Sequence, residues 1–237
     1  MQDDPYQYIG AELELFSAAK NWKKYIAQLI TPYIHGDVLE AGAGIGANTL
    51  LFFNQNVSSW VLLEPDKNFC GILLKLLSSH KLPLICSVIN GTTNDIKTTE
   101  RFDTIIYIDV LEHIEDDKSE IVTATNLLKQ NGKLILLSPA HNFLMSPFDK
   151  AIGHYRRYSK KMLLSIKDER LKTVKIMHVD SLGFFASLAN KYFLKQQYPG
   201  KKQIAFWDNW MIPASKIIDR ILFYGSGKTI IAVWKKI

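Results

Sequence analysis

Cysteine is scarce in this chain. Cys70 and Cys86 are the two among 237 residues. Their separation matches no metal-ligand spacing and offers no disulfide framework. One falls in a predicted helix and the other in a predicted strand, so both read as buried free thiols, and no metal site is expected. Also missing is any apolar stretch of the roughly 20 residues that a bilayer-spanning helix needs. The opening Met1-Gln-Asp-Asp-Pro5 has neither the basic nor the apolar region of a secretory signal. A cytoplasmic protein is therefore expected. There is no internal repeat, low-complexity tract or flexible linker. Positive charge is in excess, with a net +6, but it is not gathered into one block. Lys191, Lys195, Lys201, Lys202, Lys235 and Lys236 carry much of it late in the chain. Scattered lysines usually serve solubility, so a nucleic-acid or membrane surface is the minority reading.

What is present is concentrated in Asp37-Val-Leu-Glu-Ala-Gly-Ala-Gly-Ile-Gly-Ala-Asn-Thr49. A short apolar strand runs into three alternating glycines, and a helix follows. Glycine permits a tight turn and a close approach of backbone to ligand. A second strand, Trp60 to Leu63, ends in Glu64. An acid at that point can accept hydrogen bonds from both hydroxyls of a ribose. An adenine-containing cofactor is expected.

Two cofactor classes share this geometry. Gly42, Gly44 and Ala47 also satisfy the G-x-G-x-x-G/A pattern of nicotinamide and flavin enzymes, which places helix N–H groups on a pyrophosphate. Glu40 directly before the glycines suits a cationic ligand better. S-adenosylmethionine has no phosphate and carries a sulfonium and an α-amino group. The acid therefore favours the methyl donor.

Four segments in order resemble one family. Val38-Leu-Glu-Ala-Gly-Ala-Gly-Ile-Gly46 is similar to the E/D-x-G-x-G-x-G motif of class I S-adenosylmethionine-dependent methyltransferases. Leu63-Glu-Pro-Asp66 resembles their ribose-binding strand end. Phe102-Asp-Thr-Ile-Ile-Tyr-Ile-Asp-Val-Leu-Glu-His-Ile114 resembles their fourth strand and its loop. Leu127-Leu-Lys-Gln-Asn-Gly-Lys-Leu-Ile-Leu-Leu-Ser-Pro139 resembles their fifth strand. The likeness covers about residues 35–140. It weakens beyond, through Gly153-His-Tyr-Arg-Arg-Tyr-Ser159, towards uncharacterised bacterial methyltransferases, some encoded beside sugar-polymer genes.

The resemblance implies cofactor contacts at Glu40, Ala41, Gly42, Gly44, Glu64, Pro65, Thr92, Asp109 and Val110. Glu40 would hold the amino end of the methionine moiety, directly or through water. The family often has an acid near the adenine amino group where this chain has Thr92. A threonine hydroxyl can still accept, and Asp95 could reach the ring or cap a turn. Asp109 ends the fourth strand, where ligands of open α/β sheets gather.

The resemblance also implies an α/β fold. Its Rossmann-like, seven-stranded, mostly parallel sheet would carry helices on both faces and an antiparallel last strand. The residues agree. Candidate strands at 37–41, 59–63, 83–89, 103–108 and 132–138 alternate with helices at 46–55, 66–79 and 117–129. Thr104-Ile-Ile-Tyr-Ile108 lacks period-2 alternation, as a strand covered on both faces should. Helical spacing over residues 6–30 ends at Thr31-Pro32. Ser159 caps a helix over 160–167. Thr173–Asp180 is a strand candidate and Gly225–Trp234 a turn followed by another; in the resembled fold these are strands six and seven, with helices near 183–196 and 212–223 between them. The expected layout is one domain. Residues 1–34 form an N-terminal helical cap and 35–140 the cofactor core. Residues 141–224 supply an acceptor-side loop and helical insertion, and 225–237 the last strand.

Chemistry beyond the cofactor is less legible. His113 lies four residues after Asp109 and is the candidate general base, against a blander role packed on the cofactor or paired with a carboxylate. The stretch from Ser138 to Ser159 should cover the pocket mouth. It holds the acceptor candidates His141, Tyr155, Arg156, Arg157 and Tyr158. Adjacent arginines can grip a carboxylate or phosphate, or pair with the protein's own acids.

The leading reading is methylation of a small-molecule, glycan or lipid-linked acceptor. Phe206, Trp207, Trp210 and nearby lysines motivate peripheral membrane contact. A nucleic-acid methyltransferase is the rival. It is disfavoured because Asp109-Val-Leu-Glu112 is not the Asn/Asp-Pro-Pro-aromatic run used for base amino groups. A non-catalytic cofactor-binding protein and a nicotinamide oxidoreductase are further alternatives. Oligomeric state is not encoded legibly.

Overall fold

The computed structural model describes residues 18–97, 102–194 and 200–237. Seven strands form one sheet. They are β1 (Gly36–Ala41), β2 (Val57–Glu64), β3 (Cys86–Asn90), β4 (Phe102–Ile108), β5 (Leu128–Pro139), β6 (Leu171–Val179) and β7 (Thr229–Lys236). Their order is β3-β2-β1-β4-β5-β7-β6. The first five are mutually parallel, and β7 runs antiparallel between β5 and β6. This is the expected Rossmann-like α/β sheet with an antiparallel last strand.

The continuous apolar runs follow from two-sided burial. Val38, Trp60, Leu62, Ile106, Ile108, Ile135 and Val233 feed one core. Their neighbours Leu39, Leu63, Ile105, Tyr107, Leu134, Leu136 and Trp234 feed the other. The first face is covered by α1 (Lys20–Ile30), α2 (Ala47–Phe52) and α3 (Lys67–Ser78) through Tyr25, Ile26, Ile30, Phe52 and Leu73. The second is covered by α4 (Asp117–Leu127) and, after the short α5 (Pro147–Ala151), by α6 (Lys160–Ile166), through Ile121, Ala124 and Leu163.

Boundaries differ in places from the sequence reading. α2 stops at Phe52, short of the expected residue 55. Asn54 ends it by donating to the carbonyls of Ile34 and Phe52. β3 begins at Cys86, since Pro83 to Ile85 form a turn closed by the Cys86 N–H on the Pro83 carbonyl. α4 yields to β5 at Leu128, two residues early, because Leu128 takes an extended conformation. The predicted helical residues 6–17 lie outside the described residues.

The insertion between β6 and β7 contains α7 (Ser181–Ala189), α8 (Lys201–Phe206) and α9 (Ile212–Ile221). Wide-turn π-helical stretches Asn190–Leu194 and Trp207–Met211 extend α7 and join α8 to α9. Lys195 and the end of the helix expected at 183–196 lie outside the described residues.

Three buried acids dock this insertion. Asp219 accepts from the Tyr25 hydroxyl at 2.8 Å, the Asp180 N–H at 2.8 Å and the Ser181 N–H at 3.0 Å. Asp180 accepts from the Trp207 indole at 2.8 Å and the Gly183 N–H at 2.9 Å. Asp208 accepts from the Trp22 N–H at 2.8 Å and the Asn21 N–H at 3.1 Å. These are donors of the first turn of α1, whose own N-cap residue, Ala19, offers no acceptor.

Candidate active site

The C-terminal ends of the parallel strands open into a cavity of about 1560 Å³. One half is walled by the glycine turn after β1, the end of β2 and the turn at Gly91 to Asn94. The other half is walled by residues 144–155 and by the insertion, with α1 contributing Trp22, Lys23 and Ile26. The cavity thus lies at the switch point where strand order reverses between β1 and β4, as an open α/β sheet requires.

The glycine turn is shaped by sterics. Gly42 has φ +68, and a Cβ there would stand 2.5 Å from Cγ2 of Val110. Only glycine satisfies both conditions. The turn is tied to β2 by the Gly42 and Ala43 N–H groups, which donate to the Leu63 carbonyl at 2.8 and 3.1 Å. Glu64 then spans the gap. Its Oε2 accepts from the Gly44 N–H at 2.8 Å and its Oε1 from the Asp66 N–H at 2.9 Å. Burial raises the Glu64 carboxyl above its ordinary range, and these two N–H groups pull it back.

Ala41, Gly42, Gly44, Glu64, Pro65, Thr92, Asp109 and Val110 all line the cavity. Glu40 is set apart from them. It lies under the turn, 1% exposed. Its Oε2 accepts from the Thr49 hydroxyl at 2.7 Å and the Trp60 indole at 2.9 Å, while Oε1 has no partner among the described residues. Burial pushes its carboxyl up to about 7. The open choice for Asp95 resolves as a turn cap. It accepts from the Thr92 N–H at 2.7 Å and the Thr92 hydroxyl at 3.0 Å.

Asp109 sits at φ +55, a strained backbone for aspartate, just past β4. Its side chain is exposed to the cavity, yet the surrounding protein raises its carboxyl, and nearby His154 and Lys228 partly offset this. The following turn, Leu111–His113, brings Glu112 and His113 to the cavity wall. Desolvation lowers the His113 imidazole to about 4. It is therefore held neutral, but as a base it takes a proton reluctantly.

The acceptor candidates divide. Tyr155 and Arg157 line the cavity; His141, Arg156 and Tyr158 are not on its wall. Arg156 instead meets Asp117 at 2.8 Å and the Glu115 carbonyl at 2.6 Å. The buried Tyr158 hydroxyl donates to the same Asp117 at 2.8 Å. His141 stacks on His178, 5.1 Å between centroids, and its Nε2 lies 3.0 Å from the Gly227 carbonyl. Nη2 of Arg157 donates to both oxygens of buried Asp149 at 2.8 and 2.9 Å. Both arginines thus pair with the protein's own acids.

Sequence reasoning passed over Lys228 and Glu120, which also line the cavity. Lys228 stands over the Trp207 ring at 5.8 Å, and burial lowers its ammonium while Asp180 opposes the shift. Glu120 accepts from the Tyr107 hydroxyl at 2.6 Å. A lysine beyond a turn and a glutamate on a helix give no local signal of this kind. Distant elements bring them there.

Comparison with known proteins agrees with this architecture. The family profile described as a methyltransferase domain matches residues 9–192, more than half of the chain. The chain belongs to that family. Uncharacterized methyltransferases of Bacillus cereus and Bacillus anthracis are 28% identical over 104 residues, 42% of this chain and 45% of theirs. The match thus spans less than half the length of these relatives. Among solved structures, an S-adenosylmethionine-dependent methyltransferase from Clostridium acetobutylicum superposes with TM-score 0.57 at 11% identity, over 92% of each chain. Coclaurine N-methyltransferase, solved with N-methylheliamine and SAH, gives 0.61 at 15% identity, over 90% of this chain and 72% of that one. The cyclase SpnF gives 0.63 at 13% identity, over 96% and 94%. At such identities the likeness is one of fold.

Proposed function

We propose that this protein is an S-adenosylmethionine-dependent methyltransferase acting on a small-molecule, glycan or lipid-linked acceptor, and that the lipid-linked class fits it best. The carrying observation is the joined cavity. At about 1560 Å³ it exceeds the ~300–1,000 Å³ of a single-ligand site. It has room for a cofactor at the glycine turn and an acceptor under the insertion.

The donor set fits the cofactor. Each oxygen of Glu64 is used once by a backbone N–H. A carboxylate oxygen accepts two hydrogen bonds, so capacity remains for a ribose diol. Asp109 offers negative charge to the cationic end, and the loop at Gly91 and Thr92 borders the remaining space. When bound, S-adenosylmethionine supplies an already activated methyl group. The chain's task is to orient the two ligands and exclude water, which the insertion and α1 do by roofing the cavity.

Titration calorimetry tests the cofactor. S-adenosylmethionine should bind, NAD should not, and Glu64→Ala should weaken binding by at least tenfold. NAD binding alone would overturn the reading.

The lipid-linked reading rests on the exterior of the insertion. Phe193, Trp210 and Phe223 are 82%, 71% and 91% exposed. The acids of the described part of the insertion, Asp208 and Asp219, are buried, while Lys191, Lys201, Lys202 and Arg220 are exposed. Aromatic side chains among exposed cations suit an anionic lipid surface. No helix among the described residues is long and apolar enough to cross a membrane. A cytoplasmic enzyme that touches a membrane peripherally accommodates both facts.

A further inference from the structure

On the acceptor side of the cavity, Glu112 is fully buried, and neither of its carboxylate oxygens has a well-aligned hydrogen-bond partner among the described residues, although the Ser138 hydroxyl stands nearby. An ionisable group left so is costly unless something neutralises it. The nearest imidazole nitrogen, Nε2 of His154, is 3.9 Å from Glu112 Oε1. That is too far for a hydrogen bond. His113 packs edge-on against His154, with centroids 4.6 Å apart. One ligand atom from each of Glu112, His113 and His154 can be chosen so that all three lie within 4.8 Å of one another.

The surroundings hold His154 in the orientation a ligand needs. Its Nδ1 lies 3.2 Å from Oδ1 of Asp149, which leaves Nε2 towards Glu112. Asp149 is in turn fixed by the Ser146 N–H at 2.7 Å, the Ser146 hydroxyl at 2.6 Å and Arg157. A carboxylate behind a histidine is the usual support of a metal-binding imidazole. Arg157 gives its Nη2 to Asp149, and its charge also acts on Glu112 without forming a hydrogen bond to it.

We propose that Glu112, His113 and His154 bind a divalent transition-metal ion, oriented by Asp149, and that this ion holds an oxygen of the methyl acceptor. Two imidazoles and one carboxylate favour manganese, iron or zinc over calcium, and three protein ligands leave positions open. Ligand atoms around such an ion stand about 3.0–3.4 Å apart, so the three groups close by small side-chain rotations. All three line the cavity, so the open positions are available to an acceptor. A hydroxyl held there is acidified by the metal. Its O–H proton leaves to solvent, and the oxygen keeps the electron pair on the metal. The acceptor class is then a hydroxyl compound, best one with a neighbouring oxygen to chelate. His113 is a ligand in this arrangement and not the general base. Metal binding stands on these residues alone; only its use in catalysis rests on the methyltransferase reading.

The test is calorimetry on the full chain after treatment with chelator, titrated separately with Mn(II), Zn(II) and Mg(II). One Mn(II) or Zn(II) per chain is expected. Glu112→Gln and His154→Gln should each lower affinity at least tenfold, and Asp149→Asn by about 10–100-fold. NMR of the imidazoles should show the His113 and His154 resonances shifting on Zn(II) addition while those of His35 and His80 stay in place. Thermal melts confirm that each variant is folded. Glu64→Ala should lose S-adenosylmethionine yet keep the metal, so the two readings fail separately. Binding of none of the three ions, or equal affinity in wild type and in folded Glu112→Gln and His154→Gln, overturns the proposal.

Discussion

Glu40 puts a carboxyl group under the glycine turn with two donors on one oxygen and none on the other. Its group is raised to about 7 in the folded chain, against an ordinary 4.5. Between those values the folded state holds a proton that the unfolded state releases. Stability is therefore greatest near the lower value and declines as pH rises to about 7, by on the order of 3 kcal/mol from this group alone. Glu40→Gln should flatten that decline. Urea unfolding from pH 4.5 to 8 measures it, and parallel curves for the two proteins would refute the assignment. At Gly42 the constraint is steric instead: both the positive φ and Val110 exclude a side chain.

At the scale of the element, α1 depends on a residue far away in sequence. Asp208 satisfies N–H donors of its first turn from the insertion, and Trp22 packs on Trp207 with centroids 5.6 Å apart. Removing an N-cap acceptor costs about 0.5–2 kcal/mol. Asp208→Ala should fall in that range and also loosen the roof of the cavity, since the cap joins the two parts that form it. Asp208→Asn keeps an acceptor and should cost less. Denaturation gives the energies, and limited proteolysis reads the loosening. If cleavage within the insertion is no faster in Asp208→Ala, the cap does not couple the two.

The whole molecule carries an asymmetry that no single element shows. Its sheet is capped at the strand ends by an insertion whose described acids face inward and whose exposed charges are positive. Retention on anionic vesicles is the expected outcome, with none on neutral ones, and added salt should weaken it. Phe193→Ser with Trp210→Ser should reduce retention several-fold without altering the melting temperature. Equal retention on both vesicle types would remove the electrostatic part of this reading. Salt-dependent binding to RNA without vesicle binding would favour a nucleic-acid acceptor instead.

The sequence by itself determined which core segments become strands, the glycine turn and the place of Glu64 at a strand end, because these depend on neighbours within a few residues. Apolar runs become buried parallel strands, and three spaced glycines permit a tight turn with left-handed backbone, which Gly42, Gly44 and Gly46 adopt. Tertiary structure decided the acceptor side. Arg156 and Arg157 look alike in sequence, yet one meets buried Asp117 away from the cavity wall and the other meets Asp149 beside the cavity. His113 and His154 are 41 positions apart, and only the fold sets their rings together. Lys228 reaches the same cavity from the far edge of the insertion. Long-range contacts of this kind follow from how α1, the 144–155 loop and the insertion pack over the sheet, and no local pattern specifies that packing.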